Sequence, residues 1–142
     1  MVTIIMVRAA GRSLRISFAL MAATVAAGLV VRFAHLGLPT FVVKYGGSTM
    51  WALMIYWIVS TLLPLWPILA LVLFGGVVAT AVEFLKLCHW PALDAFRLTL
   101  PGMVLLGRFF SVWDIVAYWV AISAGAVVDC RLRRPMLNAM SN

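Results

Sequence analysis

Charge is scarce in this chain, and acid is scarcest. Four acidic residues stand in 142, against eleven lysines and arginines. Charged residues make up 11% of the total, where a soluble domain carries about 25%. That shortage excludes an ordinary water-facing surface. Cysteine is as rare: Cys88 and Cys130 are the two. With no CxxC and no histidine at ligand spacing, a zinc site has no support, and neither a metal nor a cofactor is expected. The cysteines lie near opposite ends of hydrophobic segments. That argues against a disulfide, whose Cα atoms must lie within about 7 Å. No Ser-His-Asp triad, P-loop or HExxH occurs. The net charge of +7 comes without a basic patch interleaved with aromatics, so nucleic acid is not an expected partner.

What is present is apolar. Hydrophobic residues make up 65% of the chain, and the mean hydropathy is +1.12. A chain this short has too little interior to hide that much apolar surface from water. The apolar residues also cluster into runs long enough for a bilayer. The expected fold class is an all-α membrane protein: one integral membrane domain over 1–142, a four-helix transmembrane bundle. The spans are expected at about 16–34, 49–63, 67–87 and 109–128, with a basic cytoplasmic tail over 129–142.

The first span follows Arg8, Arg12 and Arg15, a pattern shared with signal peptides. A retained helix is favoured, because three more apolar segments follow. His35 to Thr49, with Gly37, Pro39, Gly46 and Gly47, reads as a loop. Pro64, Leu65, Trp66 and Pro67 make a tight turn that stops one helix and starts the next. Cys88 to Thr99 reads as a second polar loop. Leu98 to Gly107 is too short to cross a core about 30 Å thick. It is either an interfacial or re-entrant element, or an early extension of the last helix.

Basic residues set orientation. Three arginines precede the first span, and Arg131, Arg133 and Arg134 follow the last. Both termini are therefore expected in the cytoplasm. That topology gathers Lys44, Glu83, Arg97, Arg108 and Asp114 at the outer face. Helical spacing places Gly107, Ser111, Asp114, Tyr118 and Gly125 on one face of the last helix, and Gly76, Thr80 and Glu83 on one face of the third. Carboxylates inside a membrane cost roughly 2.5 kcal/mol or more unless paired, so Glu83 and Asp114 are expected to face each other's helix with arginines as countercharge. Such pairs equally serve as structural staples. Lys86 and Asp94 are expected at solvent or headgroups, His35 and His89 as interfacial anchors. The six tryptophans, Trp51, Trp57, Trp66, Trp90, Trp113 and Trp119, are expected as belt or packing residues.

The stretch from Lys44 through Gly46, Gly47, Ser48 and Trp51 to Ala52 resembles the signature of DUF2809, a family of small bacterial membrane proteins of unknown function. The stretches Glu83 to Thr99 and Ser111 to Tyr118, with Gly107 between them, agree, and the resemblance covers about residues 30 to 129. It implies the bacterial cytoplasmic (inner) membrane. Two positions depart from the family pattern: Ser48 stands where it tends to have an acid, and Lys86 where it tends to have Gln. Glu83, Arg108, Ser111 and Asp114 also follow the order seen in VanZ-like proteins, although Tyr118 stands where those have Asn. That looser similarity implies a cell-envelope role.

The candidate ligand-binding residues are therefore Lys44, Glu83, Arg97, Arg108, Ser111, Asp114 and Tyr118. They would hold a lipid headgroup or an envelope precursor, with membrane lipids as partners. The alternative is a non-catalytic accessory subunit docked on a larger membrane protein complex. A transporter or channel ranks last, because four helices without a repeat make a poor pore and no polar path leads from the outer cluster to the other face.

Overall fold

The structure, a computed structural model, describes residues 12–33, 37–106 and 109–140, and among these there is no strand. The helices run in the order α1 (Leu14–Phe33), α2 (Thr40–Leu62), α3 (Ile68–Leu85), α4 (Pro91–Arg97), α5 (Leu100–Leu105) and α6 (Val112–Met140). Three are long and apolar enough to cross a membrane: α1, α3 and the Val112–Arg133 part of α6. α2 has the length, at 23 residues, but Tyr45, Gly46, Gly47, Ser48 and Thr49 dilute its hydropathy. Its position explains the difference. It packs on α1, α3 and α6 at once, and the helix that is most enclosed by protein needs the least apolar surface of its own.

The core sits where α2, α3 and α6 meet. Ala52, Tyr56, Leu71, Ala79 and Ile122 are each 0% exposed. Small residues set the helix spacing. A Cβ at Gly76 would meet the Trp119 ring at 2.4 Å, and one at Gly125 would meet the Leu53 side chain at 2.8 Å. Trp119 Nε1 donates to Thr80 Oγ1 at 3.2 Å, joining α6 to α3 beside that contact. The outward surface is apolar as well, with Leu69, Leu73 and Val77 of α3 and Val116, Val120 and Val127 of α6 all exposed. Such continuous apolar exposure marks a lipid or protein contact rather than water.

The turn at Pro64 to Pro67 lies where the prolines put it, with Pro67 capping α3. The expected loop from His35 to Thr49 is corrected, because α2 begins at Thr40, directly after Pro39. Its hydroxyls lie within reach of carbonyls one turn back: Ser48 Oγ is 3.2 Å from the Lys44 carbonyl oxygen, and Thr49 Oγ1 donates to the Tyr45 carbonyl. Gly46 lies against Val31 of α1, where a Cβ would come within 3.0 Å. The turn into α2 uses Gly37 at φ +64°, a conformation that suits glycine.

The second expected loop contains α4. The segment before the last helix is a separate short helix, α5, packed on α4, and not an extension of α6. Thr99 caps α5, accepting from the Gly102 N–H at 3.2 Å. The last helix also runs further than its apolar content suggests, through the expected tail to Met140. The tryptophans divide: Trp57 is buried in the core, while Trp66, Trp90 and Trp113 are exposed.

Candidate functional site

Successive long helices run in opposite directions, so the end of α1, the start of α2, the end of α3 and the start of α6 share one end of the bundle. Glu83, 0% exposed, is the hub there. Its Oε2 accepts from Lys86 Nζ at 2.5 Å and from the Tyr118 hydroxyl at 2.6 Å. Its Oε1 accepts from the Ser111 N–H at 2.8 Å. The backbone donor lies just before the first turn of α6, so Glu83 fixes how α6 starts against α3. All three bonds are charge-assisted, the stronger class of hydrogen bond.

Asp114 is the less satisfied acid. Its Oδ1 accepts from Ser48 Oγ at 3.3 Å, and its Oδ2 lies 4.0 Å from Lys86 Nζ. Lys86 therefore stands between two carboxylates. Beside Asp114 is a cavity of about 460 Å³ lined by Arg32, Thr40, Lys44, Ser48, Lys86 and Asp114. Arg32 and Lys44 are exposed. With Glu83 behind the wall, the site holds three cations against two carboxylates, a small positive excess.

Of the seven residues expected from sequence, Glu83, Ser111, Asp114 and Tyr118 form one bonded cluster, and Lys44 lines the cavity in front of it. Arg97 lies apart from them. It donates to Asp94 Oδ1 at 2.9 Å and to the carbonyls of Leu85 and Cys88 at 2.6 and 3.0 Å. It ties α4 to the end of α3 and is not the countercharge of Glu83. Arg108 and Gly107 lie outside the described residues, as does His35. His89 is exposed, with Nδ1 3.0 Å from the Leu87 carbonyl oxygen.

The countercharge is Lys86, which corrects the expectation of a solvated lysine: it is 8% exposed. Sequence spacing carried the signal, because Glu83 and Lys86 are three residues apart on one helix. Asp94 is partly exposed and paired with Arg97. Arg32 was also missed, although it ends the same helix that the arginine-flanked first span predicts. Ser48 and Lys86 both approach Asp114. A carboxylate at position 48 would put a second acid beside it, and a Gln at 86 would remove the cation between Glu83 and Asp114.

A second buried cluster occupies the opposite end, where only solvated basic termini were expected. Asp129, 0% exposed, pairs with Arg12 at 2.6 Å and Arg133 at 2.8 Å. The Tyr56 hydroxyl donates to it at 3.0 Å. Arg12 also donates to Ser17 and Ser60 and lies over the Trp57 ring, 4.9 Å from its centroid. Arg133 donates to the Pro64 carbonyl at 3.3 Å. This knot fastens the segment before α1, the α2–α3 turn and α6 to one another.

Among the described residues no group of three His, Cys, Asp or Glu side chains could hold a metal, and both cysteines are free. Every element among the described residues is a helix, and three of these helices are long and apolar enough to cross a membrane, with exposed apolar flanks that are compatible with a membrane protein. Residues 37–122 match the model of the family described as "Protein of unknown function (DUF2809)". The match spans more than half of the chain, which belongs to that family. No curated protein and no solved structure matches it.

Proposed function

We propose that the chain is a multi-pass protein of the bacterial cytoplasmic membrane whose outward end binds a phosphate-bearing headgroup, of a lipid or of an envelope precursor. In this reading all four long helices cross the bilayer. Both termini lie in the cytoplasm in this reading, with six of the eleven lysines and arginines before the first span and after the last, against five toward the other end. α4 and α5 then lie at the outer interface.

One observation carries the reading: the cavity of about 460 Å³ that opens beside Asp114 is walled by Arg32, Lys44 and Lys86. Arg32 and Lys44 stand at its exposed rim, where a guanidinium and an ammonium can both donate to phosphate oxygens. Ser48 adds a hydroxyl. Glu83 is fully bonded, so its part is to hold Lys86, Tyr118 and the Ser111 backbone in place. Asp114 retains acceptor capacity, which suits an ammonium or hydroxyl on the same headgroup.

The test is native mass spectrometry of the full chain released from membranes. Wild type is expected to retain phospholipid, and Lys44→Ala and Lys86→Met to retain several-fold less. Equal retention by all three would remove the site. Co-release of a stoichiometric larger membrane protein, with no lipid, would favour the accessory-subunit reading instead.

A further inference from the structure

A second cavity, about 190 Å³, lies between α1 and α2. It is apolar where the first is charged. Val25, Gly28 and Leu29 line it from α1, Met50 and Met54 from α2, and Leu105 from α5. Val25 and Leu29 are 41% and 44% exposed, so the slot opens sideways, toward the hydrocarbon in a membrane. A small third space of about 50 Å³ lies between the two. It shares Arg32, Gly47, Trp51 and Leu105 with the slot, and Arg32, Ser48, Lys86 and Met103 with the charged cavity. Arg32 lines all three. The three spaces therefore lie in sequence, a track of neighbouring cavities from cations at one end of the helices to the apolar slot between α1 and α2.

Two features mark the junction. Trp51 lines both the slot and the small third space, and its indole Nε1 is buried without a hydrogen-bond partner. A buried N–H with no acceptor is unfavourable, so an acceptor brought to it gains. Gly47 lines the same two spaces, and a Cβ there would meet nothing within 4 Å. The space beside Gly47 is thus open, unlike that beside Gly28, where a Cβ would meet Met50 Cβ at 3.1 Å.

We infer that this track seats a glycerophospholipid: phosphate at Arg32 and Lys44, one acyl chain in the α1–α2 slot, and an ester carbonyl at Trp51 Nε1. The inference rests on the headgroup reading above and adds the chain. The order of chemistries along the track, cation, then single donor, then apolar wall, is the order along such a lipid. A prenyl phosphate has no carbonyl at the junction.

The test separates chain from headgroup. The full chain is purified as wild type, Gly47→Ala, Gly47→Leu and Arg32→Ala/Lys44→Ala, and folding is checked by circular dichroism and gel filtration. Retention of added dioleoyl phosphatidylglycerol is read by native mass spectrometry, and binding of chainless glycerol phosphate by phosphorus NMR line broadening. Gly47→Leu grows from an open Cβ position into the junction, so about tenfold less lipid should be retained, a loss of about 1.4 kcal/mol, while glycerol phosphate still broadens. Gly47→Ala should match wild type in both. The double variant should lose both ligands. If Gly47→Leu retains lipid like wild type while the double variant loses it, the chain lies outside the slot and this inference fails alone. If the double variant also retains lipid like wild type, the headgroup reading fails with it. Equal retention of farnesyl phosphate by wild type and Gly47→Leu, with phosphatidylglycerol not retained at all, would overturn the acyl assignment.

Discussion

Asp129→Ala is the perturbation whose size follows most directly from the geometry. The carboxylate is fully buried, accepts from the Arg12 guanidinium and the Tyr56 phenol, and is ion-paired with Arg133. Its removal leaves Arg12 and Arg133 enclosed without their shared counterion. Arg133 keeps only the Pro64 carbonyl, and Arg12 keeps the hydroxyls of Ser17 and Ser60. Breaking a buried pair from one side costs about 3–5 kcal/mol. At this chain length roughly 3 °C of melting temperature corresponds to each kcal/mol, so a drop of about 10 °C or more is expected. The assay is thermal unfolding in mild detergent, followed by tryptophan fluorescence. Arg12→Ala should cost less, because Asp129 keeps Arg133 and Tyr56. The double variant should fall short of the sum, with a coupling of about 1–3 kcal/mol. A shift below about 3 °C for Asp129→Ala would refute the reasoning, since it would mean that water already shares the site.

Tyr118→Phe deletes one of the three bonds to Glu83 and should lower stability by about 1.5–3 kcal/mol in the same melt, the range for bonds to charged groups; a neutral result would mean that Lys86 and Ser111 suffice. Gly76→Val places methyl groups into the Trp119 ring and should cost about 1–3 kcal/mol by overpacking, with loss of the Trp119–Thr80 contact seen as a shifted indole NMR resonance. Cys88 is exposed near the site end, so a membrane-impermeant maleimide should label it in intact spheroplasts of a Cys130→Ser strain. Labelling only after lysis would invert the orientation.

The candidate site was legible in sequence to the extent that helical spacing and the alternating direction of successive helices decide it. Glu83, Asp114 and Tyr118 meet because residues on one helix face meet residues on another whatever the loops do. Arg97 was not legible, since its partners are the carbonyls that end α3 and an acid one turn away on a seven-residue helix that read as a loop. Lys86 was passed over because a lysine at a helix end usually snorkels; here the start of α6 covers it. The knot at the other end left a readable trace. Tyr118, Gly125, Asp129 and Arg133 continue one helix face at steps of seven, four and four, and Asp129 with Arg133 is an i,i+4 pair. The trace was hidden by ending the helix where its hydropathy falls, although the buried face carries on in charged residues. α2 shows the same limit from the other side: its glycines and hydroxyls read as loop, yet they are what lets α1 approach and what lines the cavity.

The cavity walled by Arg32, Lys44 and Lys86 is proposed to hold phosphate. An experimental structure of the full chain in lipid nanodiscs tests it most directly. Headgroup density is expected within hydrogen-bond reach of Arg32 and Lys44, continuing past Trp51 into the α1–α2 slot. A cavity filled by ordered water alone, with lipid density only on the outer faces of α3 and α6, would contradict it.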